Sequence, residues 1–206
     1  QWIHYADPEV LTLSLHESGR YLFPGSGSVG ELGDDVAKGT ALNVPLEPYT
    51  EDDSYLECFE RVVPYALEHF RPDVLVAQCG ADPHFSDPLA DLLLTTRAHE
   101  RLFRQLLALA DEHTGGRCLL TLGGGYRFDA TARIWALLYL IATGRDLPEE
   151  LPAAWRTRWE DRLDEAPSPT LHDAPRTFDI PRRDAITQQN RRVSKRLLET
   201  VAPIWY

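Results

Sequence analysis

Short apolar runs alternate along the chain with longer stretches in which apolar residues recur every three or four positions. Four short runs predict buried strands: residues 10–15, 41–46, 73–79 and 118–122. Three longer stretches predict amphipathic or buried helices: residues 50–70, 96–113 and 130–142. Because strands and helices of this length alternate, the pattern predicts an α/β fold, a three-layer α/β/α domain with a mostly parallel sheet.

The character of the chain changes after Gly144, where proline and charged residues become frequent. Trp155 and Trp159 are the expected anchors of this segment, and a last helix is expected at about residues 184–201. We therefore expect residues 1–145 to form the body of the domain. Residues 146–206 are expected to form a helical extension that wraps the same domain.

Composition narrows the class of protein. The chain has 206 residues, of which 43% are hydrophobic, enough for one domain with a core. No apolar run reaches the roughly 20 residues of a membrane span, and no signal peptide is visible, so a cytoplasmic location is expected. The absence of methionine indicates a fragment, a processed product or one half of a nicked protein.

Charge and cysteine usage exclude two kinds of site. The net charge of −11 repels nucleic-acid phosphates, so no direct nucleic-acid ligand is expected. Cys58, Cys79 and Cys118 lack CxxC spacing and predict buried thiols rather than disulfides or a zinc knuckle. A basic cluster in the last predicted helix could bind an acidic partner or form a solvated helix face: Arg191, Arg192, Lys195 and Arg196.

Candidate chemistry lies where the predicted strands end, because ligands of open parallel sheets bind beyond the carboxyl ends of the strands. Three segments follow strands and are expected to converge on one rim: residues 14–17, 80–84 and 123–126. Asp82 is the first carboxylate after the third strand, flanked by small residues, and is a candidate metal ligand. Without further context, the more common role of such a residue is to cap a turn, here before Pro83. Asp87, before Pro88, fits the turn role better.

The other polar residues on this rim carry a weaker signal. The glycine run before Tyr126 could press backbone against a ligand and expose the phenol, or it could be a simple turn. His16 and His84 could ligate a metal. A histidine near a strand end is more often a hydrogen-bonded structural residue, so both are left outside the metal site.

Four motifs in order give a family resemblance: residues 13–16 (LSLH), 23–27 (FPGSG), 78–82 (QCGAD) and 122–126 (LGGGY). Together they resemble the second half of a histone deacetylase catalytic domain, from about residue 10 to residue 144. The proline-rich tail resembles the extension of the bacterial acetoin-utilisation branch. The resemblance implies an arginase-like fold of which the N-terminal part is missing.

The resemblance also implies the site. Asp82 matches a ligand of a catalytic Zn²⁺ that has two carboxylate ligands and one histidine ligand. Tyr126 matches the phenol that hydrogen-bonds the acetyl oxygen. Three residues match substrate contacts: Phe23 in the acyl-lysine tunnel, Leu89 at its rim and Gly124 through its backbone. Ser14 and Leu15 match a structural potassium site.

Two parts of the family pattern are not found in these 206 residues. The Asp-x-His-His-Gly-Asp-Gly segment holds the other zinc ligands, and the paired catalytic histidines lie earlier. Both are expected upstream of Gln1, so the missing N-terminal part is an expected partner. The chain alone should expose hydrophobic edges.

The implied activity is zinc-dependent removal of acetyl groups from acetyl-lysine on a protein, with this chain supplying part of the active site. Alone, the chain is expected to be inactive. Two alternatives remain open: a deacetylase of acetylpolyamines or other small amides, and a non-catalytic scaffold with the same fold. No membrane partner is expected.

Overall fold

The computed structural model describes residues 1–163 and 166–206, and these residues form two compact units. Unit 1 contains Gln1–Pro72 and Ile180–Tyr206, and unit 2 contains Asp73–Asp179. The tail expected as one extension after residue 145 is divided between the units, because residues 146–179 belong to unit 2 and the last helix to unit 1.

Unit 1 is built on two parallel strands. Strand β1 spans Thr12–Glu17 and pairs in parallel with β2, Ala41–Leu46. Helix α1, Asp52–Phe70, follows with two aspartates in its first turn. Negative charge at this end of a helix interacts favourably with the helix dipole. It runs through Pro64 and ends at Arg71, whose φ of 52° is left-handed.

Strand β1 ends two residues later than the sequence predicted. His16 and Glu17 were expected after the strand, yet they pair with Pro45 and Leu46 in the ladder. Polar side chains fit there because the imidazole is satisfied: Nδ1 hydrogen-bonds Ser14 Oγ at 2.9 Å and Nε2 hydrogen-bonds the Gly27 carbonyl at 3.1 Å. The expected segment 14–17 therefore lies within β1 rather than beyond it.

The last α-helix of the described residues is α5, Arg183–Trp205. It packs on β2 and on α1. Leu197 and Val201 of this helix are fully buried, as are Leu42 and Val44 of β2. Asn190 is also fully buried. Its Nδ2 donates to Thr50 Oγ1 at 2.7 Å and to Ser54 Oγ at 3.0 Å, and its Oδ1 accepts from the Glu47 backbone N–H at 3.0 Å.

The basic cluster of α5 is exposed, as expected for a solvated face. Arg191 pairs within the chain, with 2.7 Å between its Nε and Glu57 Oε2.

Unit 2 repeats the pattern with β3, Leu75–Gln78, paired in parallel with β4, Cys118–Thr121. Helix α2, Thr96–Thr114, ends at Gly115, whose φ of 59° suits glycine, and α3 spans Phe128–Ala142. A core cluster lies against one face of the strands: Cys79, Ala81, Phe103, Ile134 and Leu138, with Ala77 and Leu120 packed on it.

The other face of β3 and β4 is open. Val76 and Leu119, which are paired in the ladder, keep 62% and 56% of their surface exposed. Val74 and Leu122 are exposed at the ends of the strands. Apolar side chains are therefore exposed on this face, whereas the exposed sheet edges expected from the sequence stay a prediction. Parallel strands are normally covered on both faces.

The helix α4, Ala153–Glu160, contains no buried residue, and Trp155 and Trp159 are only partly buried. The two tryptophans are thus not the deepest anchors of the tail. Within unit 2 that place is taken by Leu171, which is 2% exposed. Among the described residues, none of the helices combines the length and the apolar character of a membrane-spanning segment.

The three thiols are free; Cys58 and Cys79 are buried as expected, and Cys118 is partly buried.

Candidate active site

The segments that follow β3 and β4 lie side by side and bring the candidate residues of unit 2 together. The Cys79 backbone N–H donates to the Thr121 carbonyl at 2.9 Å, and the Ala81 N–H donates to the Gly124 carbonyl at 3.1 Å. The Gln78 side-chain amide donates to the Gly123 carbonyl. Asp82 is thereby held next to the glycine turn that precedes Tyr126.

Asp82 sits in a cradle made by glycines. A Cβ at Gly80 or at Gly124 would come within 2.5 Å of Asp82 Oδ1. Gly124 also has a φ of 82°, which disfavours other residues. A side chain at either position would displace the carboxylate, so the two glycines fix its place.

The electrostatic setting of Asp82 is that of an incompletely solvated carboxylate. Burial raises the pKa of its carboxyl, a hydrogen bond from its own backbone lowers the pKa, and the nearby Asp87 raises it. Within the described part of the chain, no hydrogen bond from the following turn reaches Asp82. The turn role belongs to Asp87, whose Oδ1 accepts from Leu89 N–H at 2.9 Å and Ala90 N–H at 3.2 Å.

Tyr126 and Leu89 both present their side chains to solvent, with 55% and 58% of their surface exposed. The second carboxylate oxygen of Asp87, Oδ2, accepts a hydrogen bond of 2.8 Å from the Tyr126 backbone N–H. The loop that carries Leu89 is therefore tied directly to the residue that carries the phenol. Sequence reasoning assigned Asp87 only to a turn.

The remaining predicted site residues belong to unit 1. Ser14 and Leu15 are neighbours on β1, and the Leu15 carbonyl accepts a 3.5 Å hydrogen bond from the Tyr55 hydroxyl. Phe23 is 92% exposed and lies at a cavity of about 340 Å³ that Ser14 and His16 also line. The convergence of these residues with Asp82 and Tyr126 on one rim stays a prediction.

His84 belongs to a buried polar network that sequence reasoning missed. Its Nε2 lies 3.0 Å from Asp173 Oδ2 and its Nδ1 lies 2.8 Å from Ser86 Oγ. Asp173 also accepts from the N–H of Thr96 at 2.8 Å and lies 2.9 Å from an Arg133 nitrogen. His84 is therefore a hydrogen-bonded structural residue, as was expected for it.

Burial alone would raise the pKa of Asp173. The hydrogen bond and charge of His84, the Thr96 N–H and the Arg133 guanidinium together hold that pKa well below its usual range. Asp173 thus stays ionised and supports the loop from Asp82 to Asp87 through His84, since the Asp87 N–H donates to the His84 carbonyl at 2.9 Å. No motif pointed to Asp173, because its contacts are distant in sequence.

The donor set fits a metal site only in part. Asp82 is a partly buried carboxylate in a glycine cradle, which suits a metal ligand. Across residues 1–163 and 166–206, no group of three histidine, cysteine or carboxylate side chains could hold a metal ion. This chain therefore offers one candidate ligand, Asp82, and no set of three ligands among its described residues.

Comparison with known proteins gives one consistent family. The sequence model of the histone deacetylase domain matches residues 1–142. The acetoin utilization protein AcuC of Bacillus subtilis is 39% identical over 200 residues, covering 96% of this chain and 52% of that protein.

Solved structures agree. An HDAC homologue complexed with SAHA superposes with a TM-score of 0.78 at 29% identity, over 94% of this chain and 53% of that one. An HDAC homologue from Aquifex aeolicus gives a TM-score of 0.76 at 30% identity, over 92% of this chain and 53% of that one. The chain spans about half the length of each of these three proteins.

Proposed function

The chain belongs to the histone deacetylase family, and we propose that it supplies part of the active site of a zinc-dependent deacetylase that acts on acetyl-lysine. The family resemblance and the arginase/deacetylase-like α/β fold expected from the sequence are confirmed by these matches. The observation that carries the proposal is the placement of Asp82, Gly124 and Tyr126 together beyond two parallel strands.

In this proposal Asp82 is one of three ligands that hold the zinc ion. Zn²⁺ held there would supply Lewis-acid polarisation of the amide carbonyl and of a water molecule. A histidine outside this chain serves as general base and then as general acid. Tyr126 donates its phenolic O–H to the carbonyl oxygen as negative charge develops there, and it stabilises that charge most in the transition state.

The other residues orient the substrate. Phe23 is proposed as one aromatic wall of the acyl-lysine tunnel and Leu89 as its apolar rim, consistent with their exposed side chains. The Gly124 backbone contacts the substrate at the turn, where the lack of a side chain allows close approach. Ser14 and the Leu15 carbonyl are proposed to bind a structural potassium ion, since cations of this kind prefer oxygen ligands.

The proposed partner within the complete protein is the rest of the deacetylase domain. It would supply the other zinc ligands and the general base, and it would cover the apolar face of β3 and β4 that carries Val76 and Leu119. The 206-residue chain alone is then inactive and binds zinc poorly. Addition of the complementary half should restore both activity and zinc binding.

The test of the metal role is Asp82→Asn in the complete protein. The substitution keeps the size of the side chain and removes the charge that helps neutralise Zn²⁺, so zinc content and turnover of an acetyl-lysine peptide should both fall at least tenfold. The matched control is Asp146→Asn, at an exposed carboxylate after α3. Normal zinc content and turnover in Asp82→Asn would exclude Asp82 as a zinc ligand.

The test of the phenol is Tyr126→Phe, with Tyr139→Phe on α3 as the exposed control. Loss of the hydroxyl should lower kcat about a hundredfold, with KM nearly constant, because the hydrogen bond is strongest in the transition state. Acetylated polyamines are assayed beside the peptide. A higher kcat/KM for acetylated polyamines would identify them, rather than acetyl-lysine, as the substrate. Normal kcat of Tyr126→Phe on both substrates would show that the Tyr126 hydroxyl has no role in the mechanism.

A further inference from the structure

The turn that carries Tyr126 has little intrinsic preference for one conformation. Three consecutive glycines precede the tyrosine, with φ angles of 151°, 82° and 110°. Glycine adopts these φ angles without steric cost, and it loses more conformational freedom on folding than any other residue. The position of the phenol must therefore be fixed by contacts from outside the turn.

The contact at the tyrosine itself comes from Asp87. The residues are 39 positions apart, and Asp87 Oδ2 lies 2.8 Å from the Tyr126 backbone nitrogen. The other oxygen, Oδ1, accepts from Leu89 and Ala90 and shapes the loop that follows. One carboxylate thus holds two segments, and each of its oxygens serves a different segment.

We propose that Asp87 is a positioning residue that holds the backbone of Tyr126 in register with the loop bearing Leu89. The role of the phenol rests on the proposed function, whereas the clamp itself rests on the hydrogen bonds. A carboxylate suits this task because both of its oxygens accept hydrogen bonds, and charge-assisted bonds are stronger than neutral ones.

A simple turn role would not need the second oxygen. An Asx turn uses one side-chain oxygen, which an asparagine supplies equally well. At position 87, however, an asparagine that keeps the turn presents its NH₂ group to the Tyr126 N–H. Donor would then face donor. Asp87→Asn therefore removes the clamp, and Asp87→Ala removes both the clamp and the turn.

The first measurement is hydrogen exchange of the Tyr126 amide in the 206-residue chain, which needs neither metal nor activity. We expect exchange to be about tenfold faster in Asp87→Asn and in Asp87→Ala, because a hydrogen bond to a charged group is lost. In the control Asp146→Asn, exchange of this amide should stay unchanged. Unchanged exchange in both Asp87 variants would overturn the proposal.

The second measurement is kinetic and uses the complete protein. Asp87→Asn should lower kcat about tenfold with KM nearly constant, and it should have no further effect when Tyr126 is already phenylalanine. An equal loss of kcat in both backgrounds would overturn the positioning role. If Tyr126→Phe alone leaves kcat normal, the proposed function fails, while the exchange result still decides whether the clamp exists.

Discussion

The two strand pairs of this chain have the same design and different surroundings. In unit 1, α5 packs on β2 and on α1, and Leu42 and Val44 of β2 are almost completely buried. In unit 2, the core cluster covers one face of β3 and β4, and Val76 and Leu119 on the other face remain more than half exposed. Both pairs are parallel and two-stranded.

The difference shows that the strand sequence does not by itself determine burial. Both pairs contain apolar residues, and the elements packed against them differ. Parallel strands are characteristically buried on both faces, so the open face in unit 2 indicates where more structure packs in the complete protein. The residues proposed for chemistry, Asp82 and Tyr126, follow the open pair.

The strongest test of the covered pair is Leu197→Ala in α5. Leu197 is fully buried, so the substitution removes apolar contacts and leaves a cavity, and it should lower the free energy of unfolding of unit 1 by about 3 kcal/mol. Amide exchange resolved by peptide measures the two units separately. Unchanged amide protection of β2 in Leu197→Ala would contradict the conclusion that α5 stabilises this strand.

A smaller effect is expected from the covered side of unit 2 at His99. This side chain is fully buried, its Nδ1 donates to the Thr95 carbonyl at 2.9 Å, and its Nε2 has no hydrogen-bond partner in the described part of the chain. Burial, the largest cause, lowers the pKa of His99 from 6.5 to about 4.

The sign of the pH effect follows from this shift. Above pH 6.5 the imidazole is neutral in both states; below it the unfolded chain binds a proton that the folded chain does not bind until about pH 4. The contribution of His99 to the free energy of unfolding should therefore fall by about 2 kcal/mol between pH 7.5 and pH 5. His99→Gln should reduce the pH dependence of unfolding by this amount, and His113→Gln on the same helix should leave it unchanged. If the pH dependence of the free energy of unfolding is unchanged in His99→Gln, the imidazole of His99 is accessible to water.

The smallest effect is expected at the open face. Leu119→Ala makes the same chemical change as Leu197→Ala, yet Leu119 is 56% exposed, so the free energy of unfolding should change by no more than about 0.5 kcal/mol. Urea denaturation of Leu119→Ala and Leu197→Ala measures the two changes in the free energy of unfolding side by side. A loss as large as that of Leu197→Ala would mean that the face is already covered in solution.

Periodicity predicted the elements well and their ends less well. The helix expected at residues 96–113 is found at Thr96–Thr114, and the strand expected at 41–46 is found at Ala41–Leu46. Strand β1 was ended too early, because His16 and Glu17 are polar and their ladder partners in β2 are not visible from local sequence. The tryptophans of α4 were overvalued as anchors because size does not specify a burial site.

The parts of the site that depend on local backbone conformation could be predicted from sequence motifs. Asp82 and the glycines around it were found because small residues beside a strand end allow close approach. The clamp from Asp87 to Tyr126 and the support from Asp173 to His84 were not found, since they join residues 39 and 89 positions apart. Periodicity carries no information about such pairs.

The hydrogen bond between Asn190 and Glu47 spans 143 positions of the chain and has a consequence for synthesis on the ribosome. At about 5–20 residues per second, α5 emerges roughly 7–30 s after β2. In the sequence, unit 2 falls between β2 and α5, and it makes its own core within Asp73–Asp179, so it can fold first. Strands β1 and β2 thus acquire the cover that α5 provides only after the whole of unit 2 has been translated, and during that interval Leu42 and Val44 present an apolar surface.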